Sequence, residues 1–241
     1  MFRRRKPSRS AAQHGFAFRV ATSIARIIVL FVGVSVLWVV LYRFAPPPVT
    51  VTMLADSSGF HKQWTPLSRI DRSMVDAVIA GEDARFCQHN DFDRTAIEQA
   101  LQRNAQSERM RGGSTISQQT AKNAFLWQGS GWDRWLRKGL ETWFTFLIEH
   151  LWDKRRIMEV YLNVAETGIG TYGVEAAAQR YYHHSAARLD PVEAARIAAA
   201  LPAPKRRAVI GASGFTRRHG NAIAARSGVV RRGALDGCVY E

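Results

Sequence analysis

The stretch Gly112-Gly-Ser-Thr-Ile-Ser-Gln-Gln-Thr-Ala-Lys-Asn123 decides what fold and chemistry we expect of this chain. Thr115 followed three residues later by Gln118 is a capping-box pattern, which predicts a helix that runs through Phe125. Glycines that lead into a capped helix N-terminus offer free backbone N–H groups to an anion. Gln118 and Lys122 share a face of this helix and add an amide and a cation. The stretch therefore predicts an anion site, without the Gly-Lys-Ser/Thr of a Walker loop.

Upstream of this stretch, an apolar helix ends in a cluster of charges. Apolar residues at helical spacing predict a helix over residues 70–80, and it runs into Glu82 and Asp83, with Arg85 and His89 close behind. A solvated helix end is the ordinary explanation of such a cluster. A functional explanation requires one carboxylate whose burial raises its proton affinity enough for it to act as a base. This segment alone leaves both open.

Downstream, Asp133 predicts the start of a helix that runs to about Leu151 and carries one polar stripe. The stripe consists of Arg134, Arg137, Lys138 and Glu141. One interpretation is a salt bridge between residues 137 and 141, worth a few tenths of a kcal/mol. The other is a set of cations for a phosphate-rich leaving group, next to a second carboxylate.

The remaining pattern predicts one mainly α-helical domain. Its further elements are a short strand at Val49–Met53, a helix capped by Asp93, and helices over Asp153–Ala165, Val174–Tyr182 and Pro191–Leu201. Gly168–Gly173 matches G-x-G-x-x-G, but it follows a predicted helix and not a strand, so we interpret it as a loop. The seven histidines show no metal-ligand spacing.

The N-terminal segment predicts a membrane anchor. Ile27–Tyr42 is an unbroken run of uncharged residues, and six basic residues precede the span while only Arg43 follows it closely. A cleaved signal peptide is the alternative, but no small-x-small cleavage site follows the run. We expect a basic cytoplasmic tail over 1–19, a transmembrane helix over 20–43, and a spacer with the short strand over 44–64. The body would then lie outside the cytoplasm, which excludes nucleic acid as a partner.

The net charge of +14 lies outside the body. Residues 44–204 carry 18 basic and 18 acidic residues, and the excess lies near the two ends. We expect 206–241 to be a basic C-terminal tail, either flexible and solvated or bound to an anionic membrane surface. Cys87 and Cys238 could pair outside the cytoplasm, but a small buried thiol is the favoured interpretation of Cys87.

Five motifs in fixed order resemble the peptidoglycan glycosyltransferase family, and within it the monofunctional biosynthetic transglycosylases. They are Glu82-Asp83-x-x-Phe86-x-x-His89, Gly112-x-Ser114-Thr115-Ile116-x-Gln118-Gln119, Arg137-Lys138-x-x-Glu141, Tyr161-Leu162-Asn163 and Ile197–Leu201-Pro202. The resemblance covers residues 65–205 and the anchor. One departure is Asp91, where the family pattern has glycine.

The resemblance implies a lysozyme-like α-helical fold and the polymerisation of lipid II into β-1,4 glycan strands. It implies Glu82 and Glu141 as catalytic residues. It implies as substrate-binding residues Asp83, His89, Ser114, Thr115, Gln118, Gln119, Lys122, Arg137 and Lys138. It leaves open a divalent cation, Mg²⁺ or Mn²⁺, at the diphosphate.

The resemblance also implies a place and partners. The protein is expected in the bacterial inner membrane with its catalytic domain in the periplasm, acting on lipid II and the growing strand beside membrane lipid and other cell-wall synthesis proteins. Two rival functions remain at this point. One is a lytic enzyme that cleaves peptidoglycan through the same two carboxylates. The other is a non-catalytic cell-wall-binding scaffold.

Overall fold

The computed structural model describes residues 9–89, 114–128, 131 and 133–240, with side chains from residue 18 onward. The predicted helix capped by Asp93, the departure at Asp91 and the glycines at 112 and 113 lie outside the described residues. The chain divides into two compact units, Met1–Leu41 and Tyr42–Glu241.

A single long helix accounts for the described part of the first unit. This helix, α1, spans Arg9–Phe44 and continues a few residues into the second unit. Within it, Phe18–Phe44 has a mean hydropathy of 2.7, and it is the only described helix long and apolar enough to cross a membrane. Its 27 residues would extend about 40 Å at 1.5 Å per residue, which exceeds the hydrocarbon core of a bilayer.

The predicted strand at Val49–Met53 is wrong. The segment forms a short helix, α2, at Val51–Leu54, because the Thr50 side chain accepts a hydrogen bond from the Met53 N–H and caps it. The Thr52 hydroxyl also donates to the carbonyl of Leu126, which holds this turn against the body. The alternation of valine and threonine gives the strand pattern, but the cap and the contact with a distant residue decide the structure.

The helices that carry the motifs form where the sequence predicts them. They are α3 at Arg72–Glu82, α4 at Ile116–Phe125, α5 at Arg134–Leu151 and α6 at Lys154–Val164. Side chains of Asp71 and Asp153 cap α3 and α6, and the predicted capping box of Thr115 and Gln118 opens α4. Two further helices, α7 at Val174–Tyr182 and α8 at Pro191–Ala200, are also confirmed.

A small sheet was not predicted. Its strands are β1 at His61–Lys62, β2 at Glu166–Gly168 and β3 at Thr171–Tyr172, in the order β1-β3-β2. Strand β3 pairs parallel with β1 and antiparallel with β2. The predicted loop at 168–173 is therefore partly a hairpin, turning at Gly170 with φ of 63°. Strands of two or three residues are too short to give a periodic signal.

The predicted C-terminal tail is not a flexible tail. Helix α9 spans Gly214–Arg232 and packs against α3 and α8, and a short helix, α10, follows at Gly237–Tyr240. Ile223 and Val230 of α9 are buried, and so is Asp236 between the two helices. The arginines suggested a solvated segment, but they occupy the outer face of an amphipathic helix whose inner face carries small and apolar residues.

The prediction of a buried free thiol at Cys87 is also wrong. Cys87 and Cys238 form a disulfide, with their Cα atoms 5.4 Å apart and a sequence separation of 151. It joins the loop that follows α3 to α10. Because α10 was predicted to lie in a flexible tail, the sequence could not place Cys238 near Cys87.

We expect the disulfide to carry much of the stability of the body. Replacing both cysteines, Cys87→Ser with Cys238→Ser, should lower the free energy of unfolding by about 2–4 kcal/mol, because a cross-link closing a long loop restricts the unfolded chain. Denaturant unfolding of the two proteins, each measured with and without reductant, checks this. Reductant should lower the unfolding midpoint of the wild type and leave that of the double variant unchanged. Equal unfolding midpoints for the two proteins without reductant would contradict it.

Candidate active site

Helix α3 delivers Glu82 as its last residue, and α4 holds the side chain. Gln119 Nε2 donates a hydrogen bond of 2.7 Å to Glu82 Oε2. The other carboxylate oxygen, Oε1, is buried and has no hydrogen-bond partner among the described residues. Burial raises the pKa of Glu82, opposed by the Gln119 bond and by the charges of Arg207 and Lys122. A carboxylate with one unengaged oxygen and raised proton affinity is suited to accept a proton.

Gln119 is itself oriented by a buried tyrosine. The hydroxyl of Tyr161 on α6 donates to Gln119 Oε1 at 3.5 Å, so the amide NH₂ of Gln119 faces Glu82. Tyr161 is almost fully buried. The sequence motif marks Tyr161 but gives no role for it, because 42 residues separate it from Gln119 and only the packing of α6 against α4 brings them together.

Asp83 and His89 lie behind the site and tie its parts together. The Asp83 carboxylate is 3.0 Å from His89 Nε2 and accepts a hydrogen bond of 3.2 Å from the Ile116 N–H. Ile116 is the first residue of α4, where a negative charge is favoured by the helix dipole. The pair therefore fixes the loop after α3 to the start of α4, and neither side chain lines the cleft described below.

Thr115 and Gln118 are engaged in the helix cap. The Thr115 hydroxyl accepts from the Gln118 N–H at 3.2 Å, and Gln118 Oε1 accepts from the Thr115 N–H at 3.3 Å. Both residues are buried. The amide of Gln118 therefore serves the cap, while the neighbouring Gln119 faces the reacting region. Ser114, just before the cap, is exposed and lies at the cleft.

The polar stripe of α5 brings one carboxylate and two cationic side chains together. Lys138 Nζ forms an ion pair with Glu141 Oε1, and Arg137 Nη1 lies 4.0 Å from Glu141 Oε2. Glu141 is buried while the Lys138 side chain is 49% exposed. The salt bridge between residues 137 and 141 that the sequence left as an alternative is thus present. Lys138 lies nearer to Glu141 than Arg137 does. It does not exclude a role in binding, because both cations also border the cleft.

These elements surround a cleft of about 650 Å³. It is lined by Gly81, Glu82, Ser114, Gln119, Lys122, Arg134, Trp135, Arg137, Lys138, Glu141 and Pro202. The structure thus brings seven of the eleven predicted site residues to one cleft. Four cationic side chains face it against two carboxylates, which favours an anionic ligand.

Lys122 is a partly buried cation at this cleft. Burial lowers its pKa, as do the charges of Arg137 and Lys138, while Glu141 and Glu82 act in the opposite direction. A cation in a region of low dielectric interacts more strongly with an incoming anion than one in water does. The arrangement is suited to stabilise negative charge on a leaving group.

A second, smaller cleft of about 310 Å³ adjoins the first. The two share Gln119, Lys122 and Pro202 in their walls. The smaller cleft also contains Asn123, whose Oδ1 is buried and has no hydrogen-bond partner among the described residues, and Lys205. An extended ligand therefore has room on either side of Gln119.

The described residues do not fit a resident metal ion. No three potential ligands among His, Cys, Asp and Glu gather in the part of the chain that the structure describes. Of the two carboxylates at the cleft, Glu141 is already engaged by Lys138 and Arg137.

The sequence profile of the transglycosylase family matches residues 50–227. The chain belongs to this family. The match contains all the predicted site residues, and it extends past residue 205 through most of α9. The lysozyme-like, mainly α-helical fold predicted from the motifs is thereby confirmed.

Individual transglycosylases support the same assignment over nearly the whole chain. A biosynthetic peptidoglycan transglycosylase of Caulobacter vibrioides is 47% identical over 219 residues, covering 90% of this chain and 94% of its own. One of Bdellovibrio bacteriovorus is 50% identical, covering 76% of each chain. One of Rhodospirillum centenum is 43% identical, covering 92% of this chain and 95% of its own.

Proposed function

We propose that this protein polymerises lipid II into β-1,4-linked peptidoglycan glycan strands and releases undecaprenyl diphosphate. The observation that carries the proposal is the cleft in which a buried carboxylate, Glu82, adjoins four cationic side chains. A base and a set of diphosphate-binding cations are what the transfer of a glycosyl group from a lipid diphosphate requires. Membership of the transglycosylase family and the names of the relatives support it.

Glu82 would act as the general base. The 4-hydroxyl of the acceptor's GlcNAc gives its proton to Glu82, and the oxygen attacks C1 of the donor's terminal MurNAc with inversion. The bond from C1 to the diphosphate oxygen breaks at the same centre. Oε1 of Glu82, buried and without a partner among the described residues, is the atom suited to receive the proton.

Lys122, Arg137 and Lys138 would hold the diphosphate as its charge develops. Glu141 would act on the donor side by orienting Lys138 and Arg137, which it contacts. Ser114 and Gln119, which also line the cleft, can hydrogen-bond to the sugars. Asp83, His89, Thr115 and Gln118 would contribute by holding the first turn of α4 in place.

A lytic enzyme is the rival within the same fold class, and a direct comparison of substrates decides between them. Incubation of the purified protein with labelled lipid II should give a polymer that a muramidase digests. Incubation with purified cell-wall sacculi should release nothing. Soluble fragments from sacculi, with no polymer from lipid II, would support the lytic function, and neither product would support a scaffold.

The anchor and the disulfide together support the proposed location. Helix α1 contains a membrane-length apolar stretch, and disulfides persist in oxidising compartments outside the cytoplasm. With more positive charge before the span than after it, the N-terminus stays in the cytoplasm. We propose a single-pass protein of the inner membrane whose body works in the periplasm, where other cell-wall synthesis proteins are the expected partners.

The tryptophans between Phe125 and Trp135 suggest a contact with the outer leaflet, but part of this region packs inside the body. Phe125 is buried and stacks on Phe144 with the ring centroids 4.7 Å apart. The first turn of α5 is different, because Trp135 is 78% exposed and Leu136 59% exposed. Trp135 lines the cleft together with the cationic residues, and Leu136 is its neighbour in the chain.

We therefore expect Trp135 to enter the outer leaflet beside the cleft. In a fragment covering Tyr42–Glu241, lipid-borne quenchers should reduce tryptophan fluorescence, and Trp135→Phe should remove most of that quenching, since interfacial tryptophan favours the headgroup zone. Trp152→Phe, a change at a buried tryptophan, is the matched control and should leave the quenching in place. Equal quenching in wild type and Trp135→Phe would contradict the prediction.

A further inference from the structure

The C-terminal segment, residues 214–240, packs against the helix that ends in Glu82. Two ion pairs join them. Arg72 on α3 binds Asp236 through Nε at 2.6 Å and Nη2 at 2.9 Å, and Arg231 on α9 binds Asp76 on α3 through Nε at 2.7 Å. Asp76 and Asp236 are both buried, so each carboxylate depends on its arginine for charge compensation.

The same segment also holds the loop on the other side of Glu82. Cys87, five residues after Glu82, is bonded to Cys238 of α10. The carbonyl of Val239 accepts a hydrogen bond of 2.9 Å from Arg155 on α6, which anchors α10 to a third element. Glu82 therefore lies between two points, on α3 and on the loop, that the C-terminal segment fixes.

One side chain of the segment packs directly beneath the backbone next to Glu82. A Cβ added at Gly81 would lie 3.0 Å from Ile223 Cδ1 and 3.4 Å from its Cγ1. Among the described residues no other atom, apart from those of the chain neighbours and the helix's own backbone, comes within 4 Å of that position. Ile223 is fully buried. The absence of a side chain at Gly81 is what lets α9 approach the end of α3.

We propose that the C-terminal segment is a positioning element for Glu82, acting through the contact of Ile223 with Gly81 and through the disulfide of Cys87 with Cys238. This inference rests on the proposed function, since it gives the segment a role in the same reaction. Arg231, Asp236 and Cys238 lie beyond residue 227, where the family match ends.

The physical effect of the segment is to keep the Glu82 carboxylate in its buried position against Gln119. The groups that face Glu82 are Gln119 and Lys122 on α4, Arg207 after α8, the adjoining Asp83 and the buried Tyr161 on α6. Burial is the largest cause of the raised pKa of Glu82. If the end of α3 shifts so that the carboxylate leaves its buried position against Gln119, water reaches it and its pKa falls toward the ordinary value.

A pair of compensating substitutions tests the contact. Gly81→Ala adds a Cβ 3.0 Å from Ile223 Cδ1, so the end of α3 or the Ile223 side chain must shift by a few tenths of an ångström. It should lower kcat for lipid II polymerisation about 10-fold with KM nearly unchanged, because a displacement of about 1 Å of a reacting group costs about 100-fold. Ile223→Val removes Cδ1. Combining it with Gly81→Ala should restore most of kcat. Val230→Ala, a cavity elsewhere on the buried face of α9, is the control and should leave kcat unchanged.

The disulfide provides a second test. Cys238→Ser releases α10 from the loop and leaves the sequence of the loop unchanged. The Cys87 thiol becomes free. It should also lower kcat with little change in KM. If Gly81→Ala and Cys238→Ser reduce kcat no more than Val230→Ala does, or if the combined variant shows no recovery, the positioning role is overturned.

A titration that needs no activity separates this inference from the proposed function. Carbon-13 NMR of the full chain with labelled glutamate, with the Glu82 signal assigned by its loss in Glu82→Gln, gives the pKa of Glu82 directly. Gly81→Ala and Cys238→Ser should lower it, and the double variant Gly81→Ala with Ile223→Val should return it to the wild-type value. If the pKa of Glu82 is unchanged in both single variants, the inference is overturned. If the variants show these shifts but the wild type makes no polymer from lipid II, only the proposed function is overturned.

Discussion

Glu82→Gln should reduce polymerisation of lipid II by about 10²–10⁴-fold, the usual contribution of a positioned general base. The change keeps the size of the side chain, and the amide oxygen can still accept the hydrogen bond that Gln119 donates to Glu82. Fold and lipid binding should therefore be retained. Steady-state kinetics should show the loss in kcat, with KM close to that of the wild type.

Glu193→Gln is a suitable control for this variant. Glu193 lies on α8 as part of a capping box and does not line either cleft described above. Its replacement should cost a little stability and leave kcat intact. Near-normal turnover by Glu82→Gln, with unfolding midpoints equal to the wild type, would remove Glu82 from the role of base.

Lys122→Met should lower kcat/KM by about 10²–10³-fold, comparable with the loss of one preorganised group that stabilises developing charge. Lys122 is a partly buried cation at the cleft, and its lowered pKa reflects desolvation that the diphosphate would offset on binding. An exposed cation of the same charge should matter less, because water screens it.

Lys138→Met is the matched comparison, since the Lys138 side chain is 49% exposed and already paired with Glu141. We expect a loss of no more than about tenfold, because water screens the exposed charge of Lys138 and Arg137 remains beside Glu141. Kinetics of both variants on lipid II provide the measurement. Equal losses at the two positions would show that burial of the cation does not govern its contribution.

The helices that carry the site were predictable because their signals are local. The cap of Thr115 with Gln118 and the aspartates at 71 and 153 fix where α4, α3 and α6 begin. Periodic apolar residues then define the buried face of each helix. The order of the motifs gave the family, and with it the grouping of Glu82 with the cations of α4 and α5.

The parts that were missed depend on contacts between distant residues. The arginine-rich C-terminal segment gives the signal of a solvated tail. Yet its Arg231 pairs with the buried Asp76, and its own buried Asp236 pairs with Arg72, both on α3 and more than 150 residues away. The disulfide follows from that packing and not from the spacing of the cysteines. Gln118 and Gln119 are adjacent amides, and only the geometry of the cap shows that the second one faces Glu82.

Glu82 is proposed to act as a base beside a desolvated cation, Lys122. The pH dependence of kcat/KM for lipid II polymerisation tests this most directly. The base must be deprotonated, so activity should fall as the pH drops through the raised pKa of Glu82. Lys122 must be protonated, so activity should fall as the pH rises through its lowered pKa. The predicted result is a bell-shaped pH profile that is narrower than a glutamate and a lysine of ordinary pKa would give. Its acidic limb should lie above pH 4.5. This limb should be absent from the residual activity of Glu82→Gln. An acidic limb at or below that value, or one that persists unchanged in Glu82→Gln, would contradict it.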